Sequence, residues 1–275
     1  MSVKNPVAVV TGASSGTGAA AARQLRSGGA EVVVVGRDPT RTHAMADELG
    51  VRGVTADFTS LASVRRLAED LLAVNPRIDV LLDNAGAAVP ASRPTVDGNE
   101  PNYQVNALAP FMLITLLTPA LEQGGGRVVT TTSETHRKAR LTANGVSAEL
   151  DDTEPGVMGR YARGKLAALL LHREHARHHP GLVMAAVHPG LVASGFFRSM
   201  APWGRLFTAL AQPLLVSPQT AAGRLVRVAT TRDEIAGRYF RGSRPGQASP
   251  LVGDDQLARA VWDDAQRRLI RERTP

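Results

Sequence analysis

The chain has no cysteine and few aromatic residues, and both shortages narrow what it can be. Without cysteine among its 275 residues, it can form neither disulfides nor thiolate metal ligands. Aromatic residues make up only 4% of the chain, so side chains that could stack on bases are scarce. The formal net charge of +7 is scattered among acidic residues, without a run of five like charges. That scatter predicts a solvated surface that could favour a phosphate-bearing cofactor, and it predicts no nucleic-acid partner.

Long uninterrupted apolar runs are also missing. The most apolar stretch, residues 105–121, is interrupted by Asn106, Pro110 and Pro119 and is too short for a comfortable membrane span. The first residues lead straight into a strand-like run and lack the apolar core of a signal peptide. We therefore expect a cytoplasmic protein without stable membrane insertion.

Short β-branched runs alternate with longer segments rich in Ala, Leu and Arg. The predicted strands cover residues 7–11, 31–35, 53–56, 80–84, 127–131 and 182–188. The predicted helices cover residues 18–27, 40–49, 61–75, 102–121, 159–178 and 254–271. This alternation predicts an α/β fold: a single Rossmann domain over residues 1–275, built as a doubly wound parallel sheet with helices on both faces.

Two segments fall outside that pattern. Residues 141–159 are polar and rich in turn formers, so we expect little regular structure there. Residues 194–215 are apolar but irregular. A mobile lid over an apolar substrate is the more economical interpretation of this second segment, and a stretch that dips into a membrane is the alternative.

A glycine-rich turn follows the first predicted strand directly and opens the first helix. Glycines allow a tight turn and a close approach of the backbone to a ligand. A helix N-terminus offers free N–H groups to a phosphate. A plain glycine-rich turn is the alternative, but three glycines at this place favour a dinucleotide site. The predicted cofactor residues of this turn are Gly12, Ser14, Ser15, Gly16, Thr17 and Gly18.

The second predicted strand runs into Gly36 and Arg37. In dinucleotide sites an acid near this point binds the ribose 2′-hydroxyl of NAD, whereas an arginine accommodates the 2′-phosphate of NADP. Gly36 stands where the acid is expected, so Arg37 predicts a preference for NADP, with NAD as the alternative. Asp57, after the third strand, is predicted to hydrogen-bond the adenine edge, although it could also be a plain loop carboxylate.

Tyr161 and Lys165 are four residues apart, so on a helix they would share one face. A phenol has a pKa of about 10, and a nearby ammonium group lowers that pKa by stabilising the phenolate. Such tuning suits proton transfer near neutral pH. By itself this spacing occurs by chance on many helices. Ser133, at a predicted strand end, could donate a hydrogen bond to the oxygen of a substrate.

Together these motifs resemble the short-chain dehydrogenase/reductase family. The turn from Thr11 to Gly18 is similar to its cofactor loop, Asn84-Ala85-Gly86 to its sheet-stabilising motif, and the segment after His188 to the Pro-Gly motif at the nicotinamide end. The resemblance implies a catalytic tetrad in which Asn106 holds a proton-relaying water; the tetrad is Asn106, Ser133, Tyr161 and Lys165. The further cofactor residues that it implies are Asn84, Ala85, Gly86, Tyr161, Lys165, Pro189, Gly190, Val192 and Ser194.

Three passages are similar to the retinol-dehydrogenase-like and WW-domain-oxidoreductase-like branch of that family: residues 97–106, residues 133–136 and the long gap before Tyr161. This similarity implies an apolar carbonyl or alcohol substrate. It also implies a homodimer or homotetramer formed through the helices that begin near residues 102 and 159. Four residues depart from the family pattern without removing a group that performs chemistry: Thr17 replaces an aliphatic residue, Asp83 an Asn, Gly164 a Ser and Ser194 a Thr.

The predicted function is that of an NADP-preferring oxidoreductase, in which Tyr161 acts as acid or base while an apolar ketone or aldehyde and its alcohol interconvert. A non-catalytic NADP-sensing or scaffolding protein is one alternative, although such proteins typically lose the Tyr or the Lys. An epimerase or dehydratase is another, but these usually carry a larger C-terminal domain. A set of helical histidines has zinc-like spacing, yet neutral helix-face histidines explain it more simply and we predict no metal. They are His172, His175, His178 and His179.

Overall fold

Valine-rich strands alternate their side chains between two buried faces. In β1 (Val7–Thr11) and β2 (Glu31–Gly36), Val9 and Val33 pack into one core, whereas Val10 and Val34 pack into the other. Strands that are buried on both faces belong to a parallel sheet with helices on each side. The computed structural model describes residues 5–91, 93–192, 215–231 and 233–271.

Within those residues one sheet contains eight strands in the order β3-β2-β1-β4-β5-β6-β7-β8. All neighbours are parallel except β7 and β8, which are antiparallel. The six predicted strands are confirmed, with their ends displaced by no more than one residue. The strands that follow β2 are β3 (Arg52–Thr55), β4 (Val80–Asp83), β5 (Arg127–Thr131), β6 (Val183–His188), β7 (Tyr239–Arg241) and β8 (Arg244–Gly246).

Helices cover both faces of the sheet, which confirms the predicted doubly wound fold. One face carries α1 (Gly16–Ser27), α2 (Pro39–Leu49) and α7 (Pro218–Thr230). The other carries α3 (Leu61–Val74), α4 (Pro101–Gln123), α5 (Val146–Asp151), α6 (Gly156–His178) and α8 (Asp255–Arg271). Because the strand order reverses between β1 and β4, a crevice opens at the carboxyl ends of these strands.

Four elements were missed by the sequence pattern. β7 and β8 are three residues long, too short for a readable alternation. The expectation of little regular structure in residues 141–159 is wrong, because α5 lies there and α6 already begins at Gly156. α5 has only six residues, and its apolar signal is the buried pair Val146 and Leu150. α7 begins after Ser217, whose side chain caps it, a signal that the sequence did contain. Residues 193–214 lie outside the described residues, so the lid predicted over residues 194–215 stays a prediction.

The helix α4 is long and apolar enough to cross a membrane by length and composition alone, but 83% of its apolar window is buried inside the protein. Its course is interrupted by a π-helical turn over Gln104–Leu108. Such turns are rare and often lie at functional sites. Asn106, one of the predicted catalytic residues, stands in the middle of this turn.

The C-terminal helix α8 lies across α4 and α6. The Trp262 ring packs edge-on against Phe111 with 5.0 Å between centroids. The Tyr103 hydroxyl is 3.3 Å from Asp264, and the Arg268 guanidinium lies over the Tyr103 ring. The predicted homodimer or homotetramer stays a prediction, and an interface through α4 and α6 would have to include α8.

Candidate active site

A cleft of about 800 Å³ opens at the carboxyl ends of the parallel strands. It brings together nearly all the predicted site residues from distant parts of the sequence. Those that line it are Gly12, Ser14, Ser15, Gly16, Thr17, Gly18, Arg37, Asp57, Asn84, Ala85, Gly86, Ser133, Tyr161, Lys165, Pro189, Gly190 and Val192. Asn106 lies directly behind the lining, and Ser194 falls outside the described residues.

The turn between β1 and α1 has the shape of a cradle for a phosphate. Gly12 and Gly16 have φ angles of +66° and +58°, which side chains rarely allow. A Cβ on Gly18 would stand 2.3 Å from the Gly12 carbonyl oxygen, so only glycine permits this packing. The first turn of α1 contains no acidic residue. Free N–H groups and a positive helix end therefore face the cleft, and the residues fit the pyrophosphate of a dinucleotide.

Positive charge collects where β2 ends. Gly36 has no room for a side chain, because a Cβ there would stand 2.3 Å from the Thr42 hydroxyl oxygen. Arg37 is exposed at the edge of the cleft, and Arg41 lines it as well. The nearby acid, Asp38, is used as the N-cap of α2: it accepts from the Arg41 backbone N–H at 3.0 Å and pairs with the Arg41 side chain. Asp57 lines the cleft, and its contact with an adenine stays a prediction.

Asn84 links three strands at the floor of the cleft. Its backbone N–H donates to the Thr11 hydroxyl at 2.9 Å, and its side-chain amide donates to the Thr11 carbonyl at 3.0 Å. On the other side, the Thr131 hydroxyl lies 3.3 Å from the Asn84 Oδ1. These contacts join β1, β4 and β5 where the cofactor turn begins, as the sheet-stabilising motif implies.

Asn106 and Lys165 converge on Gly86. A Cβ on Gly86 would stand 2.8 Å from the Asn106 Oδ1 and 3.0 Å from the Lys165 Nζ. The Asn106 amide donates to the Ala87 carbonyl at 2.8 Å, and its Oδ1 accepts from the Ala87 N–H at 3.1 Å. The π-helical turn thus presents Asn106 to the backbone beside the lysine. Its predicted role as the holder of a relaying water stays a prediction.

Ser133 is held from behind by His136, a residue whose role the sequence did not reveal. The buried His136 ring accepts from the Ser249 N–H at its Nε2, at 2.9 Å. The ring proton must then be on Nδ1, which lies 2.5 Å from the Ser133 carbonyl oxygen and donates to it. Burial lowers the His136 pKa, so the ring stays neutral. His136 therefore ties the loop of Ser133 to the C-terminal segment.

Ser133, Tyr161 and Lys165 meet in the cleft. The hydroxyls of Ser133 and Tyr161 are hydrogen-bonded. The Lys165 Nζ donates to the Thr131 carbonyl at 3.0 Å and lies 5.9 Å from the centre of the Tyr161 ring. Burial lowers the Lys165 pKa to about 8, with the charge of Asp83 acting in the opposite direction.

The predicted lowering of the Tyr161 pKa is wrong in its net direction for this arrangement, because burial outweighs the groups that favour the phenolate. Burial raises the Tyr161 pKa, and the force in the opposite direction is the hydrogen bond with Ser133. The ammonium group donates to the Thr131 carbonyl, and the charge of Asp83 favours its protonated form. In this arrangement the phenol is kept protonated, which is the form that a general acid needs.

Gly164, a departure from the family pattern, has a physical reason. A Cβ at this position would stand 2.6 Å from the Asn102 carbonyl oxygen. Helix α6 therefore approaches the start of α4 closely between Tyr161 and Lys165. A serine here would push these helices apart.

The loop after β6 is fixed by an arginine from α7. Gly190 has a φ of +101°, and the Arg224 guanidinium donates to the Pro189 carbonyl at 2.6 Å. Val192 forms an isolated parallel bridge with Val216. Arg224 was missed because α7 was not predicted, and nothing in the sequence places this arginine beside the loop.

The helical histidines have protein partners of their own. His172 lies 2.6 Å from the Thr130 hydroxyl, and His175 lies 3.0 Å from the Thr118 hydroxyl. His178 stacks on Trp262, and His179 stacks on His175. In the described part of the chain no group of three or more potential ligands is placed to hold a metal ion.

Comparison with known proteins identifies the family. A family model described as short chain dehydrogenase matches residues 6–148, more than half of the chain. The chain belongs to the short-chain dehydrogenase/reductase family. A relative from Streptomyces sp. (strain C5), assigned as the daunorubicin C-13 ketoreductase DnrU, is 33% identical over 272 residues that cover 93% of this chain and 89% of the relative.

Two further relatives confirm the predicted branch of the short-chain dehydrogenase/reductase family. The human WW domain-containing oxidoreductase is 33% identical over 286 residues, covering 97% of this chain and 68% of the relative. Human retinol dehydrogenase 14 is 29% identical, covering 93% and 83%. Among solved structures, the Pseudomonas aeruginosa RhlG/NADP active-site complex matches with a TM-score of 0.69 and 25% identity, covering 87% of this chain and 95% of that chain. The protein is thus an NAD(P)-dependent oxidoreductase that acts on CH–OH groups.

Proposed function

We propose that this short-chain dehydrogenase/reductase prefers NADP and interconverts an apolar ketone or aldehyde with its alcohol, using Tyr161 as the acid or base. The observation that carries the proposal is the meeting of Ser133, Tyr161 and Lys165 in one cleft with the glycine cradle. Ser133 follows β5, Tyr161 and Lys165 lie on α6, and the cradle joins β1 to α1. A non-catalytic protein would have no need to keep this arrangement.

The division of labour follows from the geometry. When bound, the nicotinamide cofactor gives a hydride to the substrate carbon, or takes one from it. In reduction the Tyr161 hydroxyl donates its proton to the substrate oxygen, and in oxidation the phenolate takes it back. The Ser133 hydroxyl donates a hydrogen bond to the same oxygen, where negative charge develops. The Lys165 ammonium, at neutral pH, stabilises the phenolate that forms.

The preference for NADP is supported by charge at the end of β2. Arg37 and Arg41 lie at the cleft, and Gly36 leaves no acid to bind the 2′-hydroxyl. The carboxylate of Asp38 is occupied by the backbone and side chain of Arg41. Because the Arg41 guanidinium pairs with Asp38, the net charge of Arg37, Asp38 and Arg41 is positive, and Arg37 is the guanidinium proposed for a 2′-phosphate, with NAD as the weaker cofactor.

An apolar substrate is supported by the side chains around the reactive end. Val89, Val105, Met158 and Leu191 line the cleft there, and Leu191 is 40% exposed. Surfaces of this kind favour ligands that remove apolar area from water. The ketoreductase name of the Streptomyces relative supports a carbonyl substrate. The lid over residues 194–215 belongs to this proposal.

The test is a panel of apolar ketones, aldehydes and alcohols, followed by NADPH absorbance. We expect turnover with several of them, and Tyr161→Phe should lower kcat at least about a hundredfold, the usual contribution of an acid or base. NADPH affinity should change little in that variant. Tyr103→Phe is the matched control, because the Tyr103 hydroxyl contacts Asp264 of α8, outside the cleft. Turnover by Tyr161→Phe at the rate of the original protein would refute the mechanism.

The cellular context belongs to the same proposal. We propose a cytoplasmic enzyme that acts on a small molecule and binds neither nucleic acid nor a metal. A homodimer or homotetramer is proposed by resemblance to the family. Sedimentation of the purified chain would test the oligomer, and a monomer at micromolar concentration would contradict it.

A further inference from the structure

A buried acid lies behind the catalytic lysine. Asp83, the last residue of β4, is only 4% exposed. Its Oδ2 accepts from the Thr130 hydroxyl at 2.9 Å, and the same hydroxyl lies 2.6 Å from the His172 Nε2. Thr130 and His172 are buried as well. Three side chains from β4, β5 and α6 thus form one buried chain of hydrogen bonds.

The hydrogen-bonded side chains of Asp83, Thr130 and His172 lie behind Lys165, at the reactive end of the cleft. Lys165 and His172 are two helical turns apart on the same face of α6. The Lys165 Nζ donates to the carbonyl of Thr131, the residue after Thr130 on β5. The charge of Asp83 acts on Lys165, and the charge of Lys165 acts in turn on Asp83 and His172. Among the described residues, the other groups beside Lys165 are Tyr161 from α6 and Asn106 from α4, both uncharged at neutral pH.

The hydrogen bonds allow two proton arrangements. When Asp83 is ionised, Thr130 donates to Asp83, and the His172 Nε2–H donates to Thr130. When Asp83 is protonated, its Oδ2–H donates to Thr130, Thr130 donates to the His172 Nε2, and the ring proton is on Nδ1. The second arrangement holds one proton more than the first. His172 is neutral in both, because burial lowers its pKa to about 3.

The second carboxyl oxygen shows why the charge on Asp83 matters. In the described structure Oδ1 of Asp83 is buried and has no hydrogen-bond partner. An ionised carboxylate with one unpaired oxygen is costly to bury unless an opposite charge stabilises it. Lys165 supplies that charge. An asparagine, the residue that the family pattern favours at this position, is neutral and could not stabilise the charge of Lys165 in turn.

We propose that Asp83 is a positioning residue for the reaction: with Thr130 and His172 it forms a buried relay of hydrogen bonds, and its carboxylate sustains the charge of Lys165. The proposal rests on the proposed function, in which the Lys165 ammonium supports Tyr161. Burial raises the Asp83 pKa to about 6, so the carboxylate is present at neutral pH and is lost in mild acid.

The composition of the chain permits a direct test. Its only lysines are Lys4, Lys138 and Lys165, so lysine labelled with ¹³C gives three side-chain signals, which Lys4→Arg and Lys138→Arg assign. We expect the Lys165 pKa in Asp83→Asn to fall by about one unit or more below its value in the unsubstituted protein, because a nearby charge shifts a buried group by that order. Asp79→Asn is the control, since Asp79 precedes β4 at the opposite edge of the sheet and pairs with Arg77. A Lys165 pKa that is the same in Asp83→Asn as in the unsubstituted protein would overturn the proposal.

A second measurement needs neither substrate nor cofactor. Because the folded-state pKa of Asp83 lies above its unfolded value, its ionisation costs stability as pH rises through about 4 to 6. The Tm gained by Asp83→Asn should therefore be larger at pH 7.5 than at pH 5. A gain that does not change with pH would mean that the carboxyl is not the titrating group. Both measurements remain informative if the carbonyl panel shows no turnover, so failure of the relay and failure of the proposed function are distinguishable.

The kinetic consequence links the relay to the reaction. With an active substrate, the alkaline limb of the kcat profile should move to lower pH in Asp83→Asn, by the same shift that the Lys165 signal shows. Thr130→Val keeps the carboxylate but breaks the relay, so it should raise the Asp83 pKa and leave the alkaline limb closer to that of the unsubstituted protein. Equal displacement of the limb in both variants would contradict the role of the charge.

Discussion

The two ends of the cleft are built in different ways. At the phosphate end the backbone forms the site: Gly12 and Gly16 adopt positive φ angles, and Gly18 leaves space that a Cβ would fill. At the reactive end side chains form it, because Ser133, Tyr161 and Lys165 must point to one place. Backbone shape is specified locally by glycine. Side-chain convergence depends on the helices and strands that stand behind it.

Because of this difference, substitutions at the two ends should have different effects. A substitution at the phosphate end introduces atoms where there is no room, and its effect falls on cofactor binding. A substitution behind the reactive end leaves the cofactor in place and moves a catalytic group by a fraction of an ångström, which costs rate. The predictions below test whether binding and rate separate in this way.

The largest difference between the effect on cofactor binding and the effect on rate is expected from Gly18→Ala. Its Cβ would stand 2.3 Å from a backbone oxygen, so the turn itself must shift. Overpacking of this kind costs about 1–3 kcal/mol, so NADPH affinity measured by fluorescence titration should fall about five- to 150-fold. Gly253→Ala is the control, because a Cβ there meets nothing within 4 Å. Unchanged affinity in Gly18→Ala would mean that the cradle is not where the phosphates bind.

Next in size is the effect of Arg37→Ala, which acts on the charge at the phosphate end and not on its shape. A lost hydrogen bond to a charged group costs about 1.5–3 kcal/mol, so NADPH should bind about ten- to a hundredfold more weakly. NADH, without the 2′-phosphate, should bind almost as before. Arg77→Ala serves as control, because Arg77 precedes β4 at the amino ends of the strands, away from the cleft, and pairs with Asp79. Equal losses for both cofactors would remove the argument for NADP.

The same contrast explains which features could be predicted from the sequence. The glycine turn, Arg37 and the Tyr161–Lys165 spacing are local patterns, and the structure places all of them on the cleft. The support of the reactive end is not local: His136 reaches Ser249, and Arg224 reaches Pro189, across more than thirty residues of sequence in each case. No spacing rule connects such pairs. The spacing of Tyr161 and Lys165 predicted a lowered Tyr161 pKa, whereas burial raises it. Burial depends on the whole fold, so a local spacing could not reveal this.

The same difference between local and non-local features decides which parts of the fold could be predicted. Long periodic segments such as α6 and the valine strands were predicted nearly residue by residue, because each repeats a pattern that reports its buried faces. β8 has the sequence Arg-Pro-Gly and is exposed, so only its pairing with β7 makes it a strand. Short elements of this kind owe their structure to the partner and not to their own residues.

The smallest effect is expected at the support of the reactive end, from a pair of substitutions at His136. Asparagine can place an N–H near the Ser133 carbonyl, as the ring Nδ1 does, whereas glutamine can keep only the contact with the Ser249 N–H. Loss of one buried hydrogen bond costs about 1–3 kcal/mol, and only part of that cost should reach the rate because His136 acts through Ser133. His136→Gln should therefore lower kcat by up to about tenfold, which is about 1.4 kcal/mol, and leave the NADPH dissociation constant unchanged. His136→Asn should retain more of the rate, and His178→Gln, on an exposed ring, all of it. If the asparagine and glutamine variants lose rate equally, His136 does not act through the Ser133 carbonyl. If either loses NADPH affinity in proportion, the two ends of the cleft are not independent.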